Sequence, residues 1–106
     1  MPLSTQTKKQ IISLLSQIES CSVEGDFSRH ELILAPDIIV FAPGIEQHGR
    51  EGFALCAITF EETEIKSEGV IAWVSGTCAY AGKETRFTAV LRGTGHAWEL
   101  VLLHIS

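Results

Sequence analysis

The chain is expected to fold as an α+β domain, with N-terminal helices packed on one face of a curved antiparallel β-sheet. Three observations predict this. A helical 3.6-residue apolar period is confined to the N-terminal part, everything after Glu61 reads as β-branched strand segments punctuated by turns, and 106 residues suffice for one core. A single domain over residues 1–106 follows, since no repeat, linker or low-complexity segment interrupts the chain.

The elements follow in order. Ser4 or Thr5 caps a first helix whose apolar residues Ile11, Leu14, Leu15, Ile18 and Cys21 form one stripe, and Gly25 ends it. Asp26 or Ser28 caps a shorter helical segment from Ser28 to Leu34, which Pro36 stops because the residue before proline avoids helical backbone. Ile38 to Phe41 is a strand, bounded by Pro36 and by the Pro43-Gly44 turn. A loop follows through His48. Arg50 to Phe60 suits a short helix, whereas Ile58, Thr59 and Phe60 equally suit a strand. Three strands are then expected, roughly Thr63 to Lys66 leading into Val70 to Tyr80, then Thr85 to Arg92, then Trp98 to Ile105. Ala81 to Glu84 and Gly93 to Gly95 supply the hairpin turns.

Charge and cysteine usage narrow the function classes. Eight Lys+Arg scattered among thirteen Asp+Glu give a net charge of −5 and leave no basic stripe for nucleic acid or an anionic membrane. Cys21, Cys56 and Cys78 are odd in number, far apart and without a ligand pattern, so they read as small buried hydrophobes in a reducing compartment. The N-terminus lacks an apolar leader, and no run approaches the ~18 apolar residues of a membrane span. A cytoplasmic protein is expected.

The ordered set of residues also resembles a known family. Arg86-Phe87-Thr88-Ala89-Val90-Leu91-Arg92, then Gly95, Trp98, Val101 and His104-Ile105-Ser106, is similar to the ending of SnoaL-like domains and of the association domain of calcium/calmodulin-dependent kinases. Gly25-Asp26, Ala35-Pro36-Asp37, Gly49-Arg50-Glu51 and Ala72-Trp73-Val74-Ser75-Gly76 occur upstream in matching order. The resemblance implies the cone-shaped nuclear transport factor 2-like fold and a homodimer. It does not choose among the isomerases, binding proteins and assembly modules that share that scaffold.

Set against the steroid isomerases of that superfamily, Ala42 stands where the general base is expected, before Pro43, and the first helix has no tyrosine. The arginine positions of the kinase hub pocket correspond to Ser75, Ala89 and Ile105. The resemblance therefore implies an apolar pocket drawn from Phe41, Trp73, Phe87, Leu91 and Leu103, with Ser75 as its polar handle and neutral hydrophobic molecules as its ligands.

His48 and Asp37 are the candidate acid–base groups. The plain alternatives are a solvated loop histidine and a strand-start cap. His30 and His96 read as surface residues, and His104 as a structural histidine. No histidine pair has metal-ligand spacing, and no metal or cofactor is expected. Glu61, Glu62, Glu64 and Glu68 read as a solvated strand edge.

Two functions stay open. One is a small-molecule-binding protein, extending to an isomerase- or cyclase-like enzyme on a hydrophobic metabolite; the other is a non-catalytic dimerisation module. In either case the last strand is apolar on both sides. Val101, Leu103 and Ile105 are assigned to the helix, and Trp98, Leu100, Leu102 and His104, with Thr88 and Val90, to a dimer interface.

Overall fold

The computed structural model describes residues 5–25, 33–51, 55–95 and 97–106. One helix, α1 (Thr5–Glu24), precedes six strands: β1 (Leu34–Ala42), β2 (Ile45–His48), β3 (Ile58–Glu68), β4 (Ile71–Tyr80), β5 (Lys83–Gly93) and β6 (Trp98–Ile105). The strands form one sheet in the order β2-β1-β6-β5-β4-β3. The α+β class stands, with two corrections. The sheet is mixed, because β6 enters between β5 and β1 and runs parallel to β1. A parallel pair needs a long crossover, which the whole β2–β5 meander supplies. The expected second helix falls largely on residues outside those described, and its last residue, Leu34, opens β1 opposite Leu100.

The helix forms where its period places it. Ile11, Leu14, Leu15, Ile18 and Cys21 are all buried against the sheet. Gly25 closes α1 with φ of 74°, its N–H donating to the Cys21 carbonyl at 2.8 Å in a left-handed C-terminal cap.

The Pro43-Gly44 turn is tighter than a loop. Pro43 fixes φ at the first corner, Gly44 takes φ of 78°, and Ala42 pairs directly with Ile45. The residues expected in a loop are therefore the edge strand β2. Residues 52–54 lie outside the described set, and Ile58, Thr59 and Phe60 are strand, in line with the second of the two options for that stretch.

At the opposite edge the helix closes the sheet. Ser22 Oγ accepts the Ile58 N–H at 3.0 Å and a Glu19 carboxylate oxygen accepts the Phe60 N–H at 3.1 Å. These bonds occupy donors that an edge strand leaves open. Ser22 Oγ in turn donates to the Glu19 carbonyl at 2.8 Å, so the buried hydroxyl is satisfied in both directions.

Two irregularities shape the sheet. On β3 the register slips between Phe60 and Glu62, a bulge opposite Cys78 and Thr77, one residue before Thr63 pairs with Gly76. A Cβ on Gly76 would lie 1.7 Å from the Glu62 carbonyl oxygen, so only glycine permits this approach. On β6 the register slips at Val101, since Leu91 pairs with Leu100 while Val90 pairs with Leu102.

Candidate functional site

The bulge at Val101 reverses the side-chain phase along β6. Leu103 and Ile105 face α1 as expected, but so do Leu100, fully buried, and Trp98, whose indole N–H donates to the Gln10 carboxamide oxygen at 3.1 Å. Of the six residues assigned to an interface, Thr88, Val90, Leu102 and His104 share the outer face, and Trp98 and Leu100 do not. Strict alternation cannot detect an inserted residue, and one insertion exchanges the faces.

The expected pocket residues separate in the same way. Phe87, Leu91 and Leu103 are buried between sheet and helix, whereas Phe41, Trp73 and Ser75 lie on the outer face. They do not line one cavity. The interior beneath α1 is filled by apolar side chains: Val40, Val74, Ala89, Leu91 and Leu103 beneath Ile11, Leu14, Leu15 and Ile18.

The outer face is organised in rows. Register places Trp73, Val90, Leu102 and Ile39 side by side across β4, β5, β6 and β1, bracketed by Lys66 and His48. All four are half-buried although nothing described covers them. The next row runs Glu64, Ser75, Thr88, His104, Phe41, Glu46. Phe41, 39% exposed, is met edge-on by His104 and His48, with ring centroids 6.4 and 6.3 Å away. On the other flank Arg92 bonds Glu99 at 2.7 Å and Asp37 at 3.4 Å. Its hydrogen bond to Glu99 is the main reason its guanidinium titrates above the ordinary value.

The candidate acid–base residues are placed plainly. His48 is exposed on β2 and bonded to Glu46 at 3.2 Å, and Asp37 is exposed and held by Arg92. Ala42, half-buried at the end of β1, presents a methyl group, which moves no proton. Tyr80 is buried on β4, its oxygen 3.5 Å from the Cys56 N–H, and burial pushes its phenol up. Cys78 is likewise pushed up, chiefly by burial and secondarily by Glu61. Among the described residues no group of three His, Cys, Asp or Glu is placed to hold a metal ion, and no helix is long and apolar enough to cross a membrane.

Two surface grooves accompany these features. One of about 410 Å³ lies on the outer face beside Gly76 and the β3 bulge, lined by Glu62, Glu64, Ser75, Arg86 and Thr88. The other, of about 360 Å³, runs between α1 and the start of β6, beside Trp98. Neither was legible in advance, because each depends on register and helix placement.

The architecture is that of the nuclear transport factor 2-like, cystatin-like proteins. A cystatin-like protein of unknown function from Nostoc punctiforme superposes with a TM-score of 0.77 at 18% identity, covering 99% of this chain and 93% of that one. A nuclear transport factor 2-like protein from Cytophaga hutchinsonii gives 0.76 at 14% identity, covering 98% of both chains. A candidate ketosteroid isomerase from Shewanella frigidimarina gives 0.70 at 18% identity, covering 89% of this chain and 92% of that one. At such identities the likeness is one of fold, which hosts many functions. No family model and no curated protein matches the sequence.

Proposed function

We propose that this chain is a non-catalytic association module that forms a homodimer through the outer face of its sheet. The observation that carries the proposal is the in-register apolar row of Trp73, Val90, Leu102 and Ile39 on the face away from α1. A two-fold contact lets one such row cover its copy, and the flanking charged rows supply a polar rim. Left in water, a contiguous patch of this kind favours aggregation. The division of the expected pocket lining also supports this reading, because Phe87, Leu91 and Leu103 are buried in the core beneath α1 while Phe41, Trp73 and Ser75 stand on the opposite face of the sheet. A cytoplasmic setting belongs to the same proposal, supported by three cysteines outside any disulfide, Cys21 and Cys78 buried as expected and Cys56, against that expectation, exposed.

Light scattering coupled to size exclusion tests it. The wild type should run as a dimer and Leu102→Glu as a folded monomer with an unchanged far-ultraviolet circular dichroism spectrum. A monomeric wild type would overturn the proposal, and a dimeric Leu102→Glu would move the interface off this face.

A further inference from the structure

The groove between α1 and β6 has a composition unlike the rest of the surface. Gln6, Gln10, Ser13 and Gln17 fall at i, i+4, i+7 and i+11, so the helix presents one line of carboxamides and a hydroxyl beside its buried stripe. Leu14 forms part of the floor and the Trp98 indole a wall. Among the described residues no carboxylate lines the groove, in a chain with thirteen acidic residues, and Lys9 is the one charged side chain among them there.

The indole is fixed from two directions. Its N–H is bonded to Gln10 Oε1 at 3.1 Å, and its six-membered ring packs against Gly93, where an added Cβ would stand 3.6 Å from Cζ3 and Cη2. With its polar edge already satisfied, the ring serves as a rigid flat apolar surface, and the same bond holds the Gln10 amide in place. Carboxamides both donate and accept, so a row of them suits a ligand rimmed with hydroxyl groups. With Lys9 as the one cation among its described lining residues, the groove is poorly equipped for phosphates or dicarboxylates.

We propose that this groove binds a neutral pyranose saccharide, with an apolar C–H face of the sugar against Trp98 and its hydroxyls shared among Gln6, Gln10, Ser13 and Gln17. The site lies on the helix side of the sheet, so pairing through the outer face leaves it open and the two proposals fail independently.

The two tryptophans make the test internally controlled. In ¹⁵N-labelled protein, titration with maltose or cellobiose should shift the Trp98 indole N–H saturably and leave that of Trp73, on the other face, in place. Gln10→Ala should weaken binding about tenfold, the loss of one well-placed hydrogen bond. Because Gln10 also holds the indole, Gln6→Ala, which does not contact Trp98 through a hydrogen bond, should weaken binding by a similar or smaller factor with an unchanged melting curve. The proposal is overturned by any of three results: no saturable shift with either disaccharide, equal movement of both indoles, or saturation only by adenosine or citrate run as contrasting probes. Undiminished affinity in both glutamine variants overturns it as well.

Discussion

The two faces of the sheet carry nearly the same side chains in the same strands and meet opposite fates. On the inner face Val40, Leu103, Ala89 and Val74 stand in register across β1, β6, β5 and β4, all with no exposed surface. One residue away on each strand, Ile39, Leu102, Val90 and Trp73 form the parallel outer row and remain half-buried. Among the described residues a single helix covers one side, so hydrophobicity states that a residue wants cover without stating which partner provides it. The inner row is satisfied within the chain. The outer row is the surface the dimer proposal assigns to a second copy.

The comparison breaks most sharply at adjacent residues. Leu103→Ala should destabilise the fold by about 2–5 kcal/mol, the usual cost of a cavity at a fully buried leucine. Leu102→Ala, measured by urea denaturation at a concentration low enough to hold the monomer, should cost well under half as much. Equal losses would mean that the two faces are equally packed within one chain.

Gly76→Ala probes how the faces are curved. Its methyl has to displace the Glu62 backbone at the β3 bulge, and an expected loss of about 1–3 kcal/mol follows from forcing that approach apart. A neutral result in thermal melts would show that the bulge relaxes freely.

The smallest effect concerns the thiols. Burial raises Cys78 above its ordinary 9.0, so the folded state holds that proton more tightly than the unfolded state does. Its contribution is present below pH 9 and is lost as pH rises above it, and Tyr80 adds the same sign above 10. Stability should therefore decline above about pH 9, with Cys78→Ala removing the earlier part of the decline. At pH 8 the exposed Cys56 should react first with a thiol reagent, and the buried Cys21 and Cys78 only on unfolding.

The sequence by itself determined the local grammar. The α1 stripe, its Gly25 stop, the β character of the chain after Glu61 and the turn at Ala81-Gly82 are written in residues a few positions apart, whereas the stretch expected as one strand from Thr63 to Tyr80 is folded back at Gly69-Val70 into the hairpin β3–β4. The resemblance in the C-terminal motifs likewise pointed to the observed fold. Only the tertiary structure decided which face each side chain joined. The parallel seating of β6 beside β1, the strand character of Ile45–His48, and the slip at Val101 that turned Trp98 and Leu100 inward all depend on pairing between segments remote in sequence. A strand's period of two carries no absolute phase. One inserted residue or one partner strand resets it, so the pocket and interface residues named from alternation and resemblance were divided between two faces.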